Sequence, residues 1–130
     1  ATFTPGLVAV LVAFALWGVA SHAFGAVQDV TADREAGISS IATVRGARWT
    51  VWFALGCYLA AGLVMLASAW PGPLGGLLVI PYLLALWPYR SITDETCERA
   101  TIGWRRFLWL NQLGGFGTTL LLIWYAFLTA

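Results

Sequence analysis

The chain contains no lysine; its seven basic residues are all arginine. With six acidic residues the net charge is only +1, and charged residues of either sign make up 10% of the chain. That near-neutrality implies no polyanion-binding surface. The basic stripes, zinc-finger spacings and RNA-binding aromatic motifs of nucleic-acid readers are missing too, so no nucleic-acid partner is expected. Two cysteines, Cys57 and Cys97, could close at most one disulfide. Cys57 lies in an apolar run and Cys97 in a charged stretch, so the two are expected at different depths, as free thiols in packing roles. No internal repeat, low-complexity tract or soluble domain is present.

What is abundant is apolar. The chain is 60% hydrophobic, with a mean hydropathy of +0.80 and eight tryptophans. Such a composition suits a protein whose outer surface faces lipid. Four apolar stretches run from Pro5 to Val27, Trp49 to Trp70, Leu74 to Tyr89 and Phe107 to Thr129. At about 1.5 Å per residue, the first, second and fourth reach the roughly 30 Å of the hydrocarbon core. The third is short, bounded by Pro-Gly-Pro at 71–73 and broken by Pro81. A kinked span and a re-entrant segment are the alternatives. A span is expected, because proline is tolerated in membrane helices when neighbours satisfy the freed carbonyl.

The expected fold class is therefore all-α, a polytopic membrane helix bundle of four transmembrane helices. No positively charged leader precedes the first run, which is too long for a signal-peptide core, so it is expected to remain as a span. An alanine at position 1, where an initiator methionine would stand, suggests a trimmed or incomplete chain.

Charge placement supports four spans. Every Asp, Glu and Arg lies between Asp29 and Arg48 or between Arg90 and Arg106. Two loops, 28–48 and 90–106, are thus separated by two spans and must face one side. The arginine bias predicts that this side is cytoplasmic, in an integral multi-pass protein of an inner or plasma membrane. Trp49, Trp87, Tyr89 and Trp104 flank the charged loops, whereas Trp70, Trp124 and Tyr125 fall near the opposite face, as interfacial belts require. Gly56, Ala60 and the cluster Gly114, Gly115 and Gly117 are expected to let helices approach closely.

Within the first loop, Asp29 and Asp33 are four residues apart, which on a helix places them on one face about a turn from each other. Like charges at that spacing cost a few tenths of a kcal/mol, and the end of a membrane helix adds a penalty that depends on depth. A divalent cation removes both costs. Mg²⁺ is commonly held by one or two carboxylates together with phosphate oxygens and retained waters. With Arg34 adjacent and Arg45 and Arg48 following, the stretch suits a metal–diphosphate headgroup; an ordinary solvated juxtamembrane loop is the alternative.

The wider pattern D-x-x-x-D-R-x-x-G-I-x-S-x-A-x-x-x-G, from Asp29 to Gly46, resembles the second aspartate-rich motif of the UbiA-type intramembrane prenyltransferases. In that family the motif follows a transmembrane helix, opens onto a cytoplasmic cap loop and precedes three further spans, the order found here. SHAFGAVQDVTADREAGISSIATVRGAR and the later GWRRFLWLNQLGGF look like the lycopene elongase branch, whose members attach a dimethylallyl unit to a linear carotenoid.

The resemblance implies a prenyl diphosphate donor, an apolar acceptor and Mg²⁺ bound by Asp29 and Asp33, directly or through water. Arg34 would be a diphosphate contact or a cytoplasmic anchor, as would Arg45 and Arg48. The family's first motif, of the N-D-x-x-D type, does not occur: the remaining acids are Glu35, Asp94, Glu95 and Glu98. The family also has more spans than are counted here. The chain thus looks like the C-terminal half of the enzyme, expected to be inactive without the N-terminal half.

Other polar residues have two readings each. His22 lies two helical turns before Asp29, about 10 Å away on roughly the same face. It could position the acceptor or take a terminating proton, or simply bond another helix. Asn111 and Gln112, within the fourth span, either join helices or line the substrate cavity. The second loop either caps the site or is a solvated connector. Tyr58 and Tyr82 are read as packing residues. Two rival functions remain at this level: a quinone-precursor prenyltransferase, and a non-catalytic membrane assembly subunit.

Overall fold

The computed structural model describes residues 3–130 of the chain. It is built of helices: α1 (Pro5–Val27), α2 (Val30–Glu35), α3 (Ile41–Arg45), α4 (Ala47–Leu66), α5 (Gly72–Leu77), α6 (Ile80–Leu86) and α7 (Ala100–Thr129). Two 3₁₀ turns, Trp87–Tyr89 and Asp94–Arg99, join α6 to α7. No strand occurs among the described residues.

Four helical stretches are long and apolar enough to cross a membrane: Pro5–Val27, Ala47–Leu66, Gly72–Tyr89 and Asp94–Thr129. The outer surface carries large apolar side chains such as Phe14, Trp109, Leu113, Phe116 and Phe127. In water that surface would be an aggregation liability; in lipid it is the expected exterior. The all-α membrane bundle expected from composition is the observed architecture.

Local chemistry sets the element ends. The Thr4 side chain accepts the Leu7 N–H and Pro5 occupies the first turn, so α1 starts where proline costs nothing. The third span is split. Pro81 has no N–H for the carbonyl four residues earlier, and the chain breaks helix at Leu78 and Val79 before resuming as α6. Helix α4 runs from Ala47 to Leu66, two residues earlier at its start and four earlier at its end than the apolar run suggests. Beyond Leu66 the Ser68 hydroxyl turns back onto the Met65 carbonyl at 2.6 Å. Helix α7 begins at Ala100, well inside the charged stretch. Hydropathy marks where a helix enters lipid, not where its backbone ladder begins.

Helices α1 and α4 form the most extensive packing pair. The core at the charged end is aromatic: the Phe24 ring meets those of Phe107 at 6.4 Å, Trp104 at 6.3 Å and Tyr89 at 6.0 Å. The ring centroids of Tyr58 and Tyr82 lie 5.2 Å apart. Both tyrosines are buried, as their packing role requires.

Close helix approach occurs at Gly114, as expected, against the Tyr82 ring of α6, and at Gly62, Gly76 and Gly25, but not at Gly56 or Gly115. A Cβ on Gly76 would lie 2.8 Å from the Gly62 carbonyl oxygen, and one on Gly25 would lie 2.9 Å from the Trp104 ring. Nothing lies within 4 Å of a Cβ at Gly56 or Gly115. Those two glycines therefore do not mediate helix contacts among the described residues.

The two charged segments touch. Arg34 of α2 pairs with Asp94, and the Cys97 thiol meets the Gln28 carbonyl at 3.4 Å. Loops 28–48 and 90–106 therefore lie at one end of the bundle, as a spanning third segment demands. Trp70 and Trp124 meet edge to face at 5.7 Å, joining the α4–α5 connection to the far part of α7. Cys57 and Cys97 are both free thiols.

Candidate functional site

The chain leaves α1 at Val27, turns through Gln28 and Asp29, and re-enters a helix at Val30. Asp29 is the N-cap of α2, and its carbonyl accepts the Asp33 N–H at 2.7 Å. That bond closes one helical turn between the two aspartates and places their side chains on one face. Asp29 is exposed and Asp33 partly so. Among the described residues neither carboxylate is capped or ion-paired.

No third His, Cys, Asp or Glu joins them into a cluster among the described residues. The donor set offered is two free carboxylates one turn apart. It fits Mg²⁺, which takes few protein ligands and fills its shell with water and phosphate oxygens.

His22 lies two turns earlier on α1. It lines a cavity of about 500 Å³ with Val19, Ala23, Ala26, Ile41 and Phe53. The walls are almost wholly apolar, and the His22 side chain makes no hydrogen bond within the described residues. The two aspartates do not line this cavity. The structure thus joins His22 to an apolar pocket and leaves the aspartates above it on the polar turn.

The arginines separate. Arg34 donates through Nη1 to Asp94 Oδ2 at 2.7 Å and through Nε and Nη2 to the Thr43 carbonyl at 3.0 and 2.8 Å. Arg45 lies over the Trp49 ring at 5.2 Å, and Arg48 reaches the Ser91 carbonyl at 3.4 Å. Arg45 and Arg48 line a second cleft, of about 620 Å³, with Trp49, Trp52, Ile92 and Asp94. They have no carboxylate partner among the described residues. In the fourth span, Asn111 Oδ1 accepts the Tyr82 hydroxyl at 3.0 Å, a bond between α6 and α7. Gln112 is exposed.

Asp94 is the residue that the sequence did not single out. Its Oδ1 accepts the Ala47 N–H at 2.7 Å, capping α4, while its Oδ2 holds Arg34 and its carbonyl accepts the Thr31 hydroxyl at 3.3 Å. The Ala47 N–H and then the Arg34 guanidinium hold its carboxyl below the usual carboxylate range. The signal that could have found it is Gly46. A helix that starts after a glycine has no local side chain to satisfy its first N–H groups, so a distant acceptor must supply the bond. At φ 88° that glycine also sits where other residues are strained, and a Cβ there would lie 3.3 Å from Asp94 Oδ1.

Fold and site together define a polytopic helical membrane protein that presents a paired-carboxylate turn at its charged end. The chain belongs to the UbiA prenyltransferase family, whose profile matches residues 1–111. It is 53% identical over 125 residues to the "C(50) beta-cyclic carotenoids biosynthesis protein LbtBC" of Dietzia sp. (strain CQ4), covering 95% of this chain and 29% of that protein. It is 44% identical over 110 residues to the "Lycopene elongase/hydratase" of Corynebacterium glutamicum, covering 85% of this chain and 38% of that protein. A protein of the same name from Haloarcula japonica is 36% identical over 67 residues, 52% of this chain and 22% of its own length. These names match the lycopene elongase branch. The chain spans well under half the length of the curated relatives it matches. No solved structure matches it.

Proposed function

We propose that the chain is the C-terminal half of a Mg²⁺-dependent intramembrane prenyltransferase. It moves a prenyl group, dimethylallyl, from its diphosphate to an apolar acceptor, a carotenoid such as lycopene. The observation that carries this is the Asp29–Asp33 turn: two unpartnered carboxylates on one face, at the polar end of an otherwise apolar bundle. The names of the relatives support the acceptor class.

Asp29 and Asp33 are the residues that would hold the metal. When bound, Mg²⁺ supplies Lewis-acid neutralisation of the charge that develops on the departing diphosphate. Arg45 and Arg48, free of carboxylates, are available to phosphate oxygens through charge-assisted hydrogen bonds. The C–O bond to the allylic carbon breaks, and an acceptor double bond forms the new C–C bond. Val19, Ala23, Ala26 and Phe53 provide apolar walls that keep water from the allylic cation. His22, at the wall of the same cavity, positions the acceptor or takes the proton lost at the end.

The charged loops face the cytosol, since every arginine of the chain lies at that end. The lipid bilayer provides sideways access for an apolar acceptor. The N-terminal half brings the first acidic motif, so the isolated chain does not turn over.

The test is product analysis after supplying lycopene and dimethylallyl diphosphate to the full-length enzyme. A prenylated carotenoid that appears only with Mg²⁺ and disappears in Asp29→Asn supports the assignment. Transfer by the purified 130-residue chain alone would refute the half-enzyme reading.

A further inference from the structure

We propose that Asp94 is a positioning residue for the metal carboxylates: it grips the back of α2 so that Asp29 and Asp33 are presented in fixed register. The inference rests on the reading of that pair as the metal site. It assigns a role in that site to the second charged loop.

The need for such a grip follows from the length of α2. Six residues cannot hold a helix in water, because so few hydrogen bonds do not offset the cost of nucleation. Nor does Asp29 cap it, since its side chain makes no capping bond. Something outside α2 must fix it.

The geometry shows what does. At about 100° per residue, Thr31 lies about 160° around α2 from both Asp29 and Asp33, and Arg34 about 140° from Asp29 and about 100° from Asp33. Those two back-face residues are the ones held from the second loop: the Thr31 hydroxyl by the Asp94 carbonyl at 3.3 Å, and Arg34 by the Asp94 carboxylate at 2.7 Å. The other Arg34 nitrogens bind the Thr43 carbonyl in α3. The remaining Asp94 oxygen caps α4 through the Ala47 N–H. One side chain thus ties α2 to the start of the second span, while the aspartate face of α2 stays free.

The Arg34 and Asp94 side chains are 43% and 33% exposed. An isolated pair so exposed contributes little to global stability. Its effect is on orientation, where small displacements matter, because metal ligands work only within a narrow geometric tolerance.

The experiment uses the full-length enzyme in lipid nanodiscs, with Mn²⁺ as a spectroscopic probe read by electron paramagnetic resonance. Asp29→Asn must first reduce the number of Mn²⁺ ions bound or their affinity; if both stay at the wild-type level, the metal site itself is misassigned and the positioning role falls with it. Given that result, Asp94→Asn and Arg34→Gln should each weaken Mn²⁺ binding by about tenfold. The double variant should be no weaker than the poorer single variant, since both remove one unit. Asparagine keeps an oxygen for the Ala47 N–H, and Arg34→Gln leaves the α4 cap untouched, so neither variant uncaps a span. Amide exchange at positions 31–35 should quicken in both. Wild-type Mn²⁺ affinity in either single variant, or additive losses in the double, overturns the proposal.

Discussion

The hydroxyls of Ser21 and Tyr58 lie 2.9 Å apart in the interior of the bundle, linking α1 to α4. Ser21 also donates to the Trp17 carbonyl at 2.8 Å, so its oxygen stays partnered if the tyrosine hydroxyl is lost. Tyr58→Phe should therefore destabilise the protein by only about 0.6 kcal/mol, the usual scale of such bonds between membrane helices. Tyr58→Ala empties a fully buried ring site and should cost about 3–5 kcal/mol. Equilibrium unfolding in mild detergent distinguishes the two. Equal losses would mean that the hydroxyl, not the ring, holds the helices together.

Gly76 and Gly75 differ in what a methyl group would meet. At Gly76 it would strike the Gly62 carbonyl oxygen at 2.8 Å, a backbone atom that cannot give way. At Gly75 it would meet only the flexible end of Met65 at 3.3 Å. Gly76→Ala should lose about 1–3 kcal/mol of stability, whereas Gly75→Ala should be close to neutral. The same unfolding measurement, run on both variants, gives the comparison.

Asp29→Asn and Asp33→Asn should each lower prenyl transfer by at least about a hundredfold in the full-length enzyme, the scale lost when charge stabilisation of a leaving group is removed. Neither carboxylate has a partner among the described residues, so folding stability should change by less than about 0.5 kcal/mol. Chelation of divalent ions should stop the wild-type reaction, and added Mg²⁺ should restore it. Turnover in initial-rate assays, set beside membrane insertion, separates lost chemistry from lost protein.

His22→Ala should reduce turnover by about a hundredfold if the imidazole takes the terminating proton. The side chain is exposed at the cavity wall and supports no hydrogen bond within the described residues, so the fold should tolerate its loss. Chromatography of the carotenoid products tests a second effect, a shift in the ratio of deprotonated to hydrated chain ends. Unchanged rate and products would assign His22 to packing.

Much of the architecture could be read from residue order, because spans obey simple constraints. An apolar run with Thr4 and Pro5 at its head marks α1, and Pro81 marks the break in the third span. The shared side of the two charged loops followed from counting the spans between them. The ends of α4 and α7 were less legible: Arg48 belongs to α4, and Arg105 and Arg106 belong to α7, although none of the three is apolar.

At the site, Asp29 and Asp33 could be placed together because their relation is local, one turn of one helix. Asp94 could not. Its partners Ala47 and Arg34 lie 47 and 60 residues away, and Glu95 and Glu98 share its loop. No local pattern distinguishes one acid from the others there. Only the third span, by returning the chain to the charged end, selects it.

That long return has a consequence for assembly. Ribosomes make chains from the N-terminus, so Arg34 leaves the tunnel well before the residue 60 positions on that grips it. The acidic turn is then held by α1 and by the Arg34 bonds to the Thr43 carbonyl of α3, and it gains its final aim once the following two hydrophobic segments have entered the bilayer. A half-inserted intermediate thus holds both aspartates before Asp94 has reached Arg34 and Thr31, and that contact forms late in biogenesis.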